Sequence, residues 1–191
     1  MRITSEPLLA KALRALSAGK IVAHPTDTLL GLAVRADSAP ALRHLFEVKG
    51  RPEGSPVSVL FSSVEEIEPW ARLTPRTRAL LRTSLPGPYT FLVPASPRAR
   101  KHFAPGVLLK GETLGVRIPD HVVARALAHR AGPVTSTSAN RHGAPNCRTF
   151  AEIRRVLGDG VEVCLDLPPA PSGQPSTLID LTGERPRVVP R

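Results

Sequence analysis

Short apolar runs alternate with helix-like segments along most of this chain, and this alternation restricts the fold more than any other feature. The helical spacing of apolar residues predicts helices over 8–16, 39–46, 64–71, 77–85, 122–130 and 150–157. Short apolar runs predict strands over 21–23, 57–61, 89–93, 114–118, 134–137, 161–165, 177–181 and 187–189. Crossover helices require parallel neighbours, whereas the strands clustered near the end can pair antiparallel. The sequence therefore predicts an α/β fold with a mixed sheet.

The chain has 191 residues, which is enough for one domain with a substantial core and short for two. No shift in composition marks a linker, so we expect a single domain over residues 1–191. The proline-rich segment 168–175, PPAPSGQP, is the most flexible-looking piece, and its simplest interpretation is a plain connector.

Three features bear on location. Cys147 and Cys164 are far apart and fit no zinc-binding pattern, which favours a reduced protein without a structural metal. No apolar run approaches the roughly 20 residues needed to span a bilayer. The first residues lack the apolar core of a signal peptide. We therefore expect a cytoplasmic protein with no membrane association.

The formal net charge of +10 indicates an anionic partner, which could be a nucleotide, a nucleic acid or an acidic membrane. The alternative is that most of this charge only keeps the surface soluble. The chain contains no Walker loop, no GxGxxG, no GxSxG and no HExxH motif. An anion bound here would thus be held by some other arrangement.

The segment Thr26-Asp27-Thr28 follows the apolar strand at 21–23, at the point where we expect a buried strand to lead into a helix. Ligands of α/β sheets bind beyond the carboxyl ends of strands, and hydroxyls there can hold a polar ligand or a phosphate. The alternative is an N-cap, in which one of these side chains closes the next helix or turn and needs no ligand.

Two cations flank a glycine in Lys49-Gly50-Arg51, at the end of a predicted helix. The segment suits a polyphosphate clamp, because lysine supplies a point charge and arginine a planar fork. The alternative is simple complementarity to the negative end of the helix dipole.

Hydroxyl groups also crowd the end of the strand at 134–137, in the stretch VTSTSAN that ends at Asn140. They can donate to one anion, or they can form a turn with local hydrogen bonds. Arg117 interrupts the apolar strand at 114–118, so its guanidinium must face solvent or a paired anion.

Taken in order, these segments resemble the YrdC-like family. The matching motifs are Pro25-Thr26-Asp27-Thr28 with Gly31-Leu32, Lys49-Gly50-Arg51-Pro52, Gly87-Pro88-Tyr89-Thr90, Val116-Arg117-Ile118-Pro119, Ser138-Ala139-Asn140 and Ser176-Thr177-Leu178-Ile179-Asp180. Each motif is weak alone, and the six in order cover nearly the whole chain. The resemblance implies a YrdC-like twisted mixed sheet with flanking helices around a concave basic cleft.

The best known members of this family are threonylcarbamoyl-AMP synthases, which join L-threonine, bicarbonate and ATP and release pyrophosphate for tRNA modification. The resemblance therefore implies a nucleotidyltransferase, with Mg²⁺ bridging the ATP phosphates because the chain shows no protein metal cage. By position in the motifs, Lys49 and Arg51 would be catalytic and hold the phosphates. The implied nucleotide site is completed by Thr113, Ser136, Ser138 and Asn140. The implied threonine site comprises Thr26, Thr28, Arg117 and Ser176.

The chain also departs from the family pattern. Leu29-Leu30 stands where members often have Val-Tyr, and Pro190 stands where many carry an arginine that reaches the nucleotide. These departures leave open a YciO-like paralogue with a different acceptor or none. A further alternative is an RNA-binding module that uses the basic cleft to contact tRNA or double-stranded RNA, although few aromatic residues are present for base stacking.

Overall fold

Ten strands join in one mixed sheet in the computed structural model, which describes residues 6–109 and 112–190. The strands are β1 (Ile21–His24), β2 (Gly31–Ala33), β3 (Ser58–Leu60), β4 (Tyr89–Pro94), β5 (Leu108–Leu109), β6 (Thr113–Arg117), β7 (Val134–Ser138), β8 (Val161–Cys164), β9 (Thr177–Asp180) and β10 (Arg187–Val189). Their order across the sheet is β10-β9-β4-β6-β3-β7-β2-β1-β8, with β5 paired to β6. The predicted α/β class with a mixed sheet is confirmed.

The helices are α1 (Glu6–Ser17), α2 (Ala39–Lys49), α3 (Val64–Ile67), α4 (Pro75–Ser84), α5 (Pro97–His102), α6 (Val122–Ala131) and α7 (Phe150–Leu157), and a 3₁₀ turn covers Gly158–Gly160. No helix within the described ranges is both long enough and apolar enough to cross a membrane. The late strands pair in both directions, because β9 and β10 are antiparallel whereas β4 and β9 are parallel.

Helices cover both faces of the sheet, and strand residues alternate between two hydrophobic clusters. In β1, Ile21 and Ala23 pack into the larger cluster with α2 and α7, whereas Val22 packs into the smaller one with α1 and α6. Both faces of β1 are thus apolar, which explains why this strand reads as an unbroken apolar run rather than as an alternation.

Four elements differ from the prediction. Helix α3 ends at Ile67, short of the predicted residue 71, because Pro69 has no backbone N–H to continue the helical hydrogen bonds. Helix α5 was not predicted, since its sequence is mostly basic and depends on the Ser96 side chain, which caps the Ala99 amide at 3.2 Å. Strands β2 and β5 were also missed, because they are only three and two residues long.

Candidate functional site

A cavity of about 310 Å³ lies over one face of the sheet, where hydroxyl side chains replace the apolar residues that fill the core elsewhere. Its polar lining comes from Thr26, Thr28, Arg51, Ser58, Thr90, Arg117, Ser136, Thr137, Ser138 and Ser176. Two guanidinium groups and many hydroxyls thus face one space. Among the described residues that line it, none carries a carboxylate.

The turn between β1 and β2 brings Thr26 and Thr28 to this cavity. The Thr26 hydroxyl donates to the Leu29 carbonyl at 2.6 Å and accepts from the amides of Thr28 and Leu29 at 3.1 and 3.2 Å. Thr26 therefore shapes the turn. The expected helix does not follow, because the segment leads into β2, which pairs antiparallel with β1. The other half of that alternative, a hydroxyl that closes a turn, agrees with the hydrogen bonds of Thr26.

Arg117 stands at the end of β6 with only 7% of its surface exposed. Its Nη2 donates to Asp27 Oδ1 at 2.7 Å and also to the Thr28 hydroxyl. Burial lowers the pKa of Arg117, and the Asp27 carboxylate opposes that shift. The sequence predicted that Arg117 faces solvent or a paired anion, and the anion is Asp27, a residue to which the sequence assigned no separate role.

His24 and Gly31, which the sequence analysis did not select as site residues, pair across β1 and β2 at the base of the turn. Gly31 has no room for a side chain, because an added Cβ would lie 2.9 Å from Nε2 of His24. The His24 ring is fully buried, and this burial lowers its pKa to about 4, so the imidazole is neutral. The signal in the sequence is the histidine at the end of β1 opposite a glycine at the start of β2.

Lys49 lies behind the cavity wall rather than in it. Its ammonium donates to the carbonyls of Ser138 and Asn140 at 2.5 and 2.6 Å, and to Asn140 Oδ1 at 3.1 Å. Burial, followed by the charge of Arg51, lowers the pKa of Lys49 to about 8. The Ser138 hydroxyl donates to the same Asn140 Oδ1 at 2.7 Å. Lys49 thus fixes the turn that ends β7.

Arg51, two residues further on, does line the cavity. Its Nη2 donates to the Pro56 carbonyl at 2.7 Å, and its Nη1 approaches the Thr137 hydroxyl at 3.4 Å. Burial lowers the pKa of Arg51, but an arginine remains charged at neutral pH. The paired cations of the sequence motif therefore separate into one that faces the cavity and one that supports its wall.

Ser176 reaches the cavity from the end of the proline-rich segment, where it is 4% exposed. Its hydroxyl shares a 2.8 Å hydrogen bond with Thr90 of β4. The segment that precedes it is more than a connector, because the amides of Ser172 and Gly173 donate to the carbonyls of Asp27 and Thr28 at 3.1 and 2.8 Å.

The structure brings together most of the residues selected from the sequence. Those that line the cavity are Thr26, Thr28, Arg51, Arg117, Ser136, Ser138 and Ser176. Lys49 and Asn140 lie directly behind Ser138. Thr113 is apart from them, because it begins β6, opposite Pro94, whereas Arg117 ends that strand. Thr90 was missed as a site residue, since only strand pairing brings it beside Ser176.

Pro190 also lines the cavity, at the position where the family pattern often has an arginine. Arg187 does not take that place, because its guanidinium pairs with Asp180 at 3.1 Å and its side chain is 76% exposed. Arg51 and Arg117 are consequently the cations that face the cavity among the described residues.

The donor set suits anions better than a resident metal. No group of three or more histidine, cysteine, aspartate or glutamate side chains that could hold a metal ion occurs in the ranges 6–109 and 112–190. Asp27, which stands between the lining residues Thr26 and Thr28, is already paired with Arg117. These residues do not form a protein-held Mg²⁺ site.

Residues 14–191 match the family model Sua5_yciO_yrdC, which is described as "Telomere recombination". A threonylcarbamoyl-AMP synthase of Chromohalobacter salexigens is 38% identical over 177 residues, which are 91% of this chain and 92% of that protein. A threonylcarbamoyl-AMP synthase of Bacillus subtilis is 30% identical over 185 residues, which are 96% of this chain and 53% of that protein.

The fold is also similar to that of a solved structure. P. abyssi Sua5 complexed with L-threonine superimposes with a TM-score of 0.84 at 31% identity, over 98% of this chain. This chain spans about half, 54%, of that longer protein. Sequence and fold agree, and the resemblance inferred from six short motifs is confirmed: the chain belongs to the Sua5/YciO/YrdC family.

Proposed function

We propose that the protein is an L-threonylcarbamoyladenylate synthase, which condenses L-threonine, bicarbonate and ATP and releases pyrophosphate. One observation carries this proposal: Arg117 and Arg51 line a single hydroxyl-rich cavity into which no carboxylate of the described residues projects. Such a site can hold two anions at once, an amino-acid carboxylate and a polyphosphate. Relatives that match at 30–38% identity over most of this chain are named for that reaction.

The reaction needs positioning more than strong acid or base catalysis. The amine of threonine and bicarbonate form a carbamate with loss of water, and a carbamate oxygen attacks the α-phosphorus of ATP. The bond from that phosphorus to the bridging oxygen breaks, and pyrophosphate leaves. Aligned reactants and neutralised phosphate charge account for most of the acceleration of such transfers. A cavity of arginines and hydroxyls, with no histidine or cysteine in its described lining, fits that requirement.

Arg117 is the proposed ligand of the threonine carboxylate. Asp27 and Thr28 occupy its Nη2, whereas its Nε is buried with no hydrogen-bond partner among the described residues, so the guanidinium retains an unused donor. Thr26, Thr28 and Ser176 line the same end. Hydroxyls that pair with a substrate hydroxyl discriminate against valine more strongly than an apolar pocket can.

Arg51 is the proposed first contact of the ATP phosphates, with the hydroxyls of Ser136 and Ser138 beside it. Lys49 adds positive charge from behind and holds the Ser138–Asn140 turn in place. Mg²⁺ would be carried in by the ATP phosphates, because the residues that the structure describes supply no carboxylate cage. Thr113 is left out of this proposal, because it begins β6 at the end opposite Arg117.

The proposal requires only one YrdC-like domain, since the C. salexigens relative, almost fully covered by the match, carries the same name as the longer B. subtilis protein. The product would serve tRNA threonylcarbamoyladenosine formation, and the net charge of +10 favours contact with tRNA or double-stranded RNA. The free thiols of Cys147 and Cys164 are consistent with a cytoplasmic location.

The test is pyrophosphate release from ATP with and without L-threonine and bicarbonate, with product formation followed by mass spectrometry. We expect release that requires both co-substrates and that valine does not support. Arg51→Ala should lower the apparent affinity for ATP about tenfold or more, as expected for a lost charged hydrogen bond. Arg43→Ala, at a position outside the cavity on α2, is the control. Release independent of threonine would contradict the proposal.

A different acceptor is the second candidate, because Leu29 and Leu30 both line the cavity. In the pattern drawn from the family these positions are often Val-Tyr. A screen of amino acids by thermal shift in the presence of ATP separates the two candidates, since a bound ligand raises the melting temperature. A shift with threonine alone supports the synthase, and a larger shift with another amino acid supports the alternative.

A further inference from the structure

We infer that His121 is a positioning residue for the amino-acid end of the cavity, which it reaches through the proline-rich segment 168–175. This inference rests on the proposed function, because the amino-acid end is the proposed threonine site. His121 is buried and does not itself line the cavity. His121 occupies the N-cap position of α6, yet its side chain makes no capping hydrogen bond. The ring is 1% exposed.

Within the described part of the chain, the hydrogen bond of this ring leads to the proline-rich segment. Nε2 of His121 lies 3.0 Å from the carbonyl oxygen of Pro169. A carbonyl only accepts, so Nε2 must carry the hydrogen, and Nδ1 of the neutral ring is then an acceptor with no partner among the described residues. Burial lowers the pKa of His121, in agreement with a neutral ring.

The segment from Pro168 to Pro175 is almost entirely exposed and packs little apolar surface, so a few hydrogen bonds must hold it. His121 holds its first half. Its second half is held by the amides of Ser172 and Gly173, which donate to the carbonyls of Asp27 and Thr28. The Ser172 hydroxyl adds a weak contact to the Thr28 carbonyl at 3.4 Å.

The same segment holds two parts of the cavity lining in position, one at Ser176 and one at Thr28. Beyond it, Ser176 becomes buried and bonds Thr90 in the cavity lining. Before it in the chain, Asp27 and Thr28 hold the guanidinium of Arg117. Releasing the segment at Pro169 would loosen both the Ser176 side and the Thr28 side. Arg51 and Ser138, at the proposed nucleotide end, form their hydrogen bonds with other parts of the chain.

The test compares His121→Leu, which removes the donor, with His121→Gln, whose amide can again donate to Pro169. Loss of one hydrogen bond of this kind predicts a rise of about tenfold in the KM for threonine, with the KM for ATP nearly unchanged. Hydrogen exchange of peptides from 166–177 should accelerate in His121→Leu alone. His129→Leu makes the same replacement at the exposed end of the same helix. It should change neither the KM for threonine nor the hydrogen exchange of 166–177.

Restoration of both the threonine KM and the exchange protection by His121→Gln would support the inference. An unchanged threonine KM in His121→Leu, an equal rise in the KM for ATP, or equal defects in the two variants would overturn it. His121→Asn, whose shorter amide does not reach Pro169, replaces the leucine variant if that variant fails to fold. If the wild type shows no threonine-dependent turnover, the proposed function fails, and unchanged exchange at 166–177 would separately overturn the link through Pro169.

Discussion

The Nη2 atom of Arg117 lies 2.7 Å from Oδ1 of Asp27, and both side chains are largely shielded from water. The pair connects the end of β6 to the turn between β1 and β2, ninety positions away in the chain. A buried guanidinium without a counter-ion would be costly, so Asp27 is what allows a cation to sit in the cavity wall.

Replacing Asp27 with asparagine should therefore destabilise the protein and weaken threonine binding together. Removal of one partner of a shielded pair costs about 3 kcal/mol of unfolding free energy, since the other charge stays behind. Urea denaturation and the KM for threonine measure the two effects. Asp37→Asn breaks the more exposed pair with Arg35, where we expect a change of about 1 kcal/mol or less. Equal losses of unfolding free energy in the two variants would show that the Arg117–Asp27 pair stabilises the fold no more than the exposed pair does.

Gly31→Ala should destabilise the β1–β2 turn, because the new methyl group meets the His24 ring at 2.9 Å. Overpacking of this kind costs about 1–3 kcal/mol. The cost should shrink when His24→Ala removes the ring, and a double-mutant cycle measures this coupling. Gly183→Ala is the matched control, since a Cβ there meets nothing within 4 Å. Additive effects of the Gly31 and His24 changes would count against the proposed clash.

His24 should make stability fall as the solution becomes acidic. Its pKa is about 4 in the folded protein and 6.5 in the unfolded chain. Between these values the unfolded chain binds a proton that the native state does not bind. The contribution of His24 to the free energy of unfolding is complete above pH 6.5 and is lost between pH 6.5 and 4. By pH 5 this loss is about 2 kcal/mol. Urea titrations at pH 7 and pH 5 measure this loss.

Burial also lowers the pKa of His121, in the same direction, so the contribution of His24 is the difference between the wild type and His24→Gln. The variant should lose less stability than the wild type between pH 7 and pH 5. Parallel curves for the two proteins would assign the acid sensitivity to other groups.

Lys49→Ala should lower kcat/KM for ATP about tenfold or more, because three hydrogen bonds that fix the Ser138–Asn140 turn disappear with the ammonium. Since the pKa of Lys49 is about 8, raising the pH through 8 should weaken ATP binding by the wild type. The alanine variant should lack this alkaline decline. Lys101→Ala, on the exposed part of α5, should retain wild-type kinetics and the same decline.

The sequence predicted those parts of the fold whose signal is local. Helix α7 and strand β10 begin and end where their patterns indicate. The turn after β1 was harder, because polar residues after a strand look the same before a helix as before a second strand. The pattern TDT cannot show that Thr26 closes the turn, whereas the hydrogen bonds to Leu29 do.

The remaining site residues depend on pairing between distant segments. Thr113 and Arg117 share one short strand, yet only strand geometry shows that they lie at opposite ends of it. Lys49 looks like a phosphate ligand in the sequence, because nothing local reveals the carbonyls of Ser138 and Asn140. Thr90 and His121 act through partners 86 and 48 positions away.

The cavity draws residues from Thr26 to Pro190, which is nearly the whole length of the chain. A fragment that lacks either end of the range 26–190 therefore lacks part of the lining, and during synthesis the site closes only after Pro190 has left the ribosome. Pairings of such long range form slowly. Ligand affinity should then appear abruptly at the end of folding, so that occupancy by ATP reports a fully assembled molecule and partly folded chains remain unliganded.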